Sequence, residues 1–335
     1  MSRRYEWERE VAVEAVREAA RLCRAVREEI SPEILAKKDK SPVTVADFGS
    51  QALVARTLAE AFPDDPIIAE EDSAELRLPG NAPLLDQVLR HVRNIRAEGD
   101  STDAIDAGRV CAWIDRGGTS AYRDRFWTLD PIDGTKGFLR GEQYAVALAL
   151  IVEGQVAVAA LACPGLDAVF YAVRDEGAFG VPVESGDDDA AGPPVHVRVS
   201  GRDDPAAVRF CESVESGHSA HGDAASVAGR LGMTAPPLRM DSQAKYAVVA
   251  RGEADIYLRL PTRADYREKI WDHAAGAMIV AEAGGTVTDV HGKPLEFHHG
   301  RELIANRGVI VTNGRLHDRV LGAIRELRIG EESPV

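Results

Sequence analysis

A layered α+β architecture is expected from three features of the sequence. Two stretches near the start repeat apolar residues at the helical period, one over residues 9–30 and one beginning near Thr44. The middle of the chain is rich in apolar runs bounded by turn signals, and Glu153-Gly154 separates two of them at hairpin spacing. After the acidic tract that ends at Pro194, short apolar runs alternate with helical patterns, as in a sheet covered by helices.

In the first helix Val11, Ala15, Ala19, Leu22, Val26 and Ile30 share one face, and Ser31-Pro32 ends it. Lys37 to Lys40 reads as an exposed charged loop. The second helix turns Phe48, Ala52, Ala55 and Leu58 inward and stops at Pro63. Pro66 to Ala69 reads as a short strand. Within residues 74–125 only two features stand out, a helical Leu84 to Arg96 and a loop at Arg116-Gly117-Gly118. Phe126 to Leu129 is a strand. Tyr144 to Val152 and Gln155 to Ala162 form the hairpin, and Ala168 to Val173 and Ala178 to Val181 extend the antiparallel pattern.

Glu184 to Pro194 is acidic, rich in small residues and unable to bury a core, so a mobile loop is expected there. It divides an α+β half, 1–183, from an α/β half, 195–335. The second half reads as strands 195–199, 208–212, 255–260 and 308–312, with helices 221–231, 243–251, 272–283 and 315–326.

A chain of 335 residues has the length of roughly two domains or one large layered fold. Its composition, 45% hydrophobic and 28% charged, excludes a collagen, a coiled-coil rod and a disordered chain. The 40 basic and 54 acidic residues leave a net charge of −14, which repels nucleic-acid polymers and anionic membranes. An anionic ligand should therefore be small and held locally, through cations. Cys23, Cys111, Cys163 and Cys211 form no CxxC pair, which argues against a zinc ribbon or a disulfide framework and fits a reducing compartment. Met1 to Glu10 lacks the apolar core of a signal peptide, and Tyr144 to Val152 is too short to span a bilayer. A cytoplasmic protein is expected.

The densest chemistry is Asp130-Pro131-Ile132-Asp133-Gly134-Thr135, at the carboxyl end of a strand. Proline fixes φ and glycine allows a sharp turn, so the loop can aim two carboxylates and the Ile132 carbonyl at one point. Hard divalent cations take such oxygen ligands. Thr135 adds a hydroxyl, and the residues after it can start a helical turn whose N–H groups face an anion. An Asp-rich β-turn is an equally good reading of the hexapeptide taken alone. Glu70-Glu71-Asp72, taken alone, reads as a solvated acidic loop. Asp272 can be a helix N-terminal acid and Asp47 part of a variant capping box. His298-His299 reads as a loop, with no carboxylate or cysteine recognised at ligand spacing.

Together, Asp-Pro-Ile-Asp-Gly-Thr, the preceding Glu-Glu-Asp-Ser (70–73) and the following Trp-Asp-His-Ala-Ala-Gly (271–276) resemble the inositol monophosphatase superfamily of magnesium-dependent, lithium-sensitive phosphatases. Blocks 41–47, 135–143, 240–246 (Met-Asp-Ser-Gln-Ala-Lys-Tyr) and 257–261 (Tyr-Leu-Arg-Leu-Pro) resemble its 3'(2'),5'-bisphosphate nucleotidase branch. The resemblance covers most of residues 9–325. It is weak in 74–125, and 184–194 looks like an insertion.

The resemblance implies the layered αβαβα sandwich of the inositol monophosphatase and fructose-bisphosphatase type. It implies one Mg²⁺ on Glu70, Asp130 and the Ile132 carbonyl, a second on Asp130, Asp133 and Asp272, and room for a third, looser ion near Glu70. Asp47 and Thr135 would orient and deprotonate the attacking water. Gly134, Thr135, His218, Ser242, Lys245, Arg259 and Asp272 would contact substrate, and Ser242 and Lys245 would share one helical face if a helix starts there. The implied enzyme hydrolyses the 3'-phosphate of adenosine 3',5'-bisphosphate, with 3'-phosphoadenylyl sulfate as a second substrate; a monomer is expected. The alternatives are a same-fold phosphatase for inositol phosphates or fructose 1,6-bisphosphate, and a non-catalytic nucleotide sensor.

Overall fold

Apolar periodicity sets the first two helices in the computed structural model, which describes residues 4–30, 41–96, 105–184, 193–214, 221–263 and 265–330. The expected Lys37–Lys40 loop, most of the acidic tract and His218 lie outside the described residues. Helix α1 (Glu6–Glu28) starts earlier than its apolar face, with Glu6 and Glu8 in the first turn where the helix dipole favours acids. Helix α2 (Ser41–Ala61) buries Phe48, Ala52, Ala55 and Leu58 as the spacing predicts.

The first sheet has seven strands in chain order: β1 (Ile67–Ala69), β2 (Arg125–Asp133), β3 (Ala145–Val152), β4 (Gln155–Cys163), β5 (Ala168–Val173), β6 (Gly177–Pro182) and β7 (Val195–Val197). Only β1 and β2 run parallel; the later neighbours are antiparallel. Glu153 (φ 53°) and Gly154 (φ 77°) turn the β3–β4 hairpin through two left-handed positions, the pattern of a tight two-residue loop. Strand β7 follows the acidic tract yet pairs with β6, so the first sheet extends past residue 194.

Between β1 and β2 stand α3 (Ala82–Arg96) and α4 (Ala107–Asp115). The sequence reading does not anticipate α4, a short helix whose N-cap, Asp106, accepts from the Arg109 N–H. Strand β2 runs through Asp133, four residues beyond the apolar run, with a register shift between Asp130 and Asp133.

The second sheet is ordered β11-β12-β10-β8-β9, from β8 (Phe210–Glu212), β9 (Leu238–Arg239), β10 (Ile256–Arg259), β11 (Thr286–Thr288) and β12 (Val309–Thr312). The remaining helices are α5 (Thr135–Arg140), α6 (His221–Arg230), α7 (Ala244–Ala250), α8 (Ala274–Glu282) and α9 (His317–Glu326). Strands β9 and β11 have too few apolar residues to be seen as runs.

Three apolar cores stack these elements as an αβαβα sandwich. The first joins α1 and α2 to Val146, Leu148 and Leu150 of β3. The second joins the opposite side of the same strand, Ala145, Ala147, Ala149 and Ile151, to α7 and α8. The third joins Ile256 and Leu258 of β10 to Val227 of α6 and Val320 of α9. Alternation along one strand thus feeds two layers. Small residues line the middle layer. A Cβ at Gly276 on α8 would stand 2.4 Å from Tyr246 Cγ on α7.

Gly276→Ala should therefore cost about 1–3 kcal/mol of stability through overpacking, read as a lower urea midpoint at unchanged slope. A midpoint equal to wild type would mean that the two helices have slack to separate.

Candidate active site

Helix α2 presents Asp47, Ser50 and Gln51, at i, i+3 and i+4, on one buried face. Ser50 Oγ donates to the Pro131 carbonyl at 2.8 Å. Gln51 Nε2 donates to the carbonyls of Glu71 (2.6 Å) and Ile114 (2.9 Å), and its Oε1 accepts from the Glu71 N–H at 3.1 Å. One helix face therefore holds both acid-bearing segments, and the unanticipated α4 supplies one of the acceptors. Arg301 closes the other side, donating to the Ala69 carbonyl at 2.8 Å and lying over the Trp271 ring at 4.5 Å.

Gly134 (φ 87°) turns the chain from β2 into α5, and a Cβ there would stand 2.9 Å from Ser242 Cβ. Ser242 itself is left-handed (φ 64°), a strained state for a non-glycine residue. The next residue, Gln243, ties three segments together. Its N–H donates to Asp133 Oδ2 at 2.5 Å, its Nε2 to the Trp271 carbonyl at 2.8 Å, and its Oε1 accepts from the Gly276 N–H at 3.1 Å.

These clamps surround a cleft of about 250 Å³ lined by Glu70, Asp130, Ile132, Asp133, Gly134, Thr135, Ser242, Lys245, Arg259 and Asp272 among others. Every metal-ligand candidate from the sequence thus faces one cavity. Asp47 is buried and does not line it, but its charge reaches Asp130. The sequence reading missed Ser50, Gln51, Gln243 and Arg301. Ser50 and Gln51 are signalled only by position, one helical turn after Asp47, and Gln243 by lying inside the Ser-Gln-Ala-Lys block; Arg301 has no local signal.

Lys245 and Ser242 do not share a helical face, because α7 begins at Ala244 and Ser242 belongs to the turn before it. The Lys245 ammonium folds back to donate to the Ser242 carbonyl at 2.7 Å, and it stands 5.2 Å from the centre of the Tyr257 ring. Burial lowers its pKa, with Asp133 pulling the other way. Arg259 pairs with Glu268 at 3.2 Å, and Glu268 also meets His273 Nε2 at 3.2 Å. His273 Nδ1 lies 2.6 Å from the Tyr246 hydroxyl, so a buried polar chain runs along the cleft. Arg140 pairs with Asp241 and Glu142, a structural role.

The acids bear the cost of being gathered. Burial, then the charges of Glu70, Asp133, Asp272 and Asp47, hold the Asp130 carboxyl well above the usual carboxylate range. Its Oδ1 is buried with no hydrogen-bond partner among the described residues. Asp272 is pushed up to about 7 by burial and by Asp133 and Glu70, against His273. Glu70 keeps an exposed edge, yet partial withdrawal from water and the charges of Glu71 and Asp133 push it up to about 7. Asp47 is raised well above the range by burial, Glu71 and Glu70. A divalent cation with oxygen preference fits this donor set: it would partner the orphaned oxygen and cancel the repulsion.

Residues 4–328 match the model of the inositol monophosphatase family. A 3'(2'),5'-bisphosphate nucleotidase of Emericella nidulans is 42% identical over 352 residues, covering 96% of this chain and 99% of the relative. One of Schizosaccharomyces pombe is 42% identical, covering 95% of each. Among solved structures, Mycobacterium tuberculosis SuhB superposes with a TM-score of 0.63 at 22% identity, covering 98% of this chain and 100% of its own. CysQ from Bacteroides thetaiotaomicron, a bacterial member of the inositol monophosphatase family, gives 0.61 at 19% identity, covering 92% and 97%. Both structures support the fold. No helix among the described residues is long and apolar enough to cross a membrane.

The raised acids fix the sign of a pH effect. Unfolded carboxyls titrate near about 4, so above that pH the unfolded chain has released protons that the folded acids still hold. Stability of the metal-free protein should therefore fall as pH rises from about 4 through 7 and beyond. Thermal melts in chelator should show a lower Tm at about pH 8 than at about pH 5.5, with Asp130→Asn flattening the fall. A metal-free Tm that climbs over this interval would contradict the electrostatics of the site.

Proposed function

The chain belongs to the inositol monophosphatase family, and from that premise we propose that it is a magnesium-dependent phosphatase that converts adenosine 3',5'-bisphosphate to AMP and phosphate. The observation that carries the reading is that one cleft gathers Glu70, Asp130, Asp133 and Asp272 together with Lys136, Lys245 and Arg259. A substrate with two phosphates needs both kinds of group, cations for the phosphate that stays and metal ligands for the one that leaves. The relatives at 42% identity are named 3'(2'),5'-bisphosphate nucleotidases, which supports a nucleotide bisphosphate as substrate. 3'-Phosphoadenylyl sulfate, with its own 3'-phosphate, is proposed as a second substrate.

Glu70, Asp130 and the Ile132 carbonyl are proposed to hold one Mg²⁺, and Asp130, Asp133 and Asp272 the other. Glu71, next to Glu70, leaves room for a third. Bound ions of this kind acidify water and offset charge on the departing oxygen. Thr135, which lines the cleft, is proposed to orient the attacking water, and Asp47 to receive its proton through the threonine hydroxyl. A carboxylate held above its usual range, as Asp47 is, is the stronger base for that task. The N–H groups at Gly134 and Thr135 are suited to the oxygens of the reacting phosphate.

Ser242, Lys245 and Arg259 are proposed to hold the 5'-phosphate, and His218 the nucleoside. Because Lys245 also braces the left-handed Ser242 through its carbonyl, it would act both as a charge and as a support for the turn. A cytoplasmic monomer is proposed, and its four cysteines, all buried free thiols, fit a reducing setting.

The assay is phosphate release from adenosine 3',5'-bisphosphate, inositol 1-phosphate and fructose 1,6-bisphosphate, with and without Mg²⁺. The nucleotide should be the preferred substrate and Mg²⁺ should be required. Asp130→Asn should keep less than about a tenth of wild-type kcat, a barrier increase above about 1.4 kcal/mol. A preference for inositol 1-phosphate would overturn the substrate.

Lys245→Ala should lower kcat/KM for adenosine 3',5'-bisphosphate far more than for adenosine 3'-monophosphate, which lacks the retained phosphate. Charge-assisted contacts are the strong ones, so the difference should be large. Equal losses on the two substrates would limit Lys245 to its support of Ser242.

A further inference from the structure

The loop after Pro294 brings Glu296, His298 and His299 together, away from the acid-lined cleft. Each offers one ligand atom, and these atoms lie within 4.8 Å of one another. Both imidazoles address the same carboxylate oxygen: His299 Nε2 is 2.7 Å and His298 Nε2 3.5 Å from Glu296 Oε2. The carboxylate that the sequence reading did not recognise is two residues before His298. From the geometry we propose that Glu296, His298 and His299 form a second cation site, selective for a borderline transition-metal ion such as Zn²⁺ and chemically distinct from the oxygen-lined cleft.

The donor set decides the class of ion. Two imidazoles and one carboxylate suit Zn²⁺, Co²⁺, Ni²⁺ or Cu²⁺, whereas Mg²⁺ prefers oxygen alone. Zinc–nitrogen and zinc–oxygen bonds of about 2.0–2.2 Å place tetrahedral ligand atoms about 3.3 Å apart. The His298 separation already matches, and the His299 separation has to open by about half an ångström, replacing a hydrogen bond by a metal bond. All three side chains reach solvent, with 27%, 46% and 26% exposure for Glu296, His298 and His299, so an ion can enter and a water can complete the shell.

The loop is held in shape without the ion. Glu296 N–H donates to Asn306 Oδ1 at 2.9 Å, the buried Asn306 donates in turn to the Pro294 carbonyl at 2.9 Å, and Phe297 is buried between the ligands. Lys293 occupies the other carboxylate oxygen, Oε1, at 2.6 Å and keeps Glu296 ionised. Its positive charge beside the site lowers affinity, so micromolar rather than nanomolar binding is expected. Glu268, Asp272 and His273 also cluster, but they belong to the cleft, and Glu268 is already paired with Arg259.

The test is calorimetric titration of untagged full-length protein with Zn²⁺ in excess Mg²⁺, which competes for the oxygen-lined cleft. One Zn²⁺ per chain is expected. The His298→Asn/His299→Asn double variant should weaken it by more than about tenfold at an unchanged melting temperature, and Asp130→Asn should leave it intact. Co²⁺ should report the same site through visible absorption that the double variant lacks. Wild-type zinc binding in the double variant, loss of that binding in Asp130→Asn, or no zinc binding in Mg²⁺ by the wild type would each overturn the proposal.

Discussion

Carboxylates withdrawn from water repel one another, and holding several of them around one cavity is the constraint on which the rest of this structure depends. Glu70, Asp130, Asp133 and Asp272 come from the bend after β1, from β2 and from the turn before α8, segments far apart in sequence. Each segment is fixed through its backbone: Glu71 by Gln51, Pro131 by Ser50, Trp271 by Gln243 and Ala69 by Arg301. Backbone anchoring leaves the carboxylate oxygens largely available, and buried, fully bonded amides do not slide. The repulsion is thus borne by a polar framework and is not relaxed by movement of the acids.

The layers exist in an order that makes this framework possible. The acids Asp130 and Asp133 sit at the end of a first-sheet strand, while Arg259 ends β10 in the second sheet. Helices α7 and α8 lie between the sheets, and the turns at their N-terminal ends carry Gln243 and Asp272. Glu70, Asp130, Asp133 and Lys136 therefore come from the first half of the chain and Asp272, Lys245 and Arg259 from the second, and they meet only when both sheets pack on the same pair of helices. The close approach of Gly134 to Ser242 is the point of contact, and it requires a residue without a side chain on one strand of the crossing.

Much of this was legible in the sequence, for identifiable reasons. The faces of α1 and α2, the β3–β4 hairpin and the helix–strand alternation after β7 all follow from local periodicity. Helix α4 was not legible because nine residues with three buried positions give too short a pattern. The metal-ligand candidates were named from motif blocks, and the structure brings them to one cleft. The supports were not named: Gln51 and Gln243 act through partners 20 and 28 residues away, and no local pattern encodes that. Lys245 shows the opposite error. Its spacing from Ser242 suggested a shared face, but the left-handed backbone of Ser242 delays the helix and turns the lysine back on its own turn.

The small residues between the two sheets have a consequence for how such a cleft can be kept still. Ala145, Ala147, Ala149 and Ala159 on the first sheet face Ala244 and Ala247 of α7 and Ala274, Ala275 and Ala277 of α8. Alanine has no rotamer to lose on folding, so ordering this seam costs little side-chain entropy. It also has no alternative rotamer to populate once folded. The floor beneath the acids is accordingly a region with few thermally accessible substates, and whatever conformational freedom the substrate meets must reside at the rim.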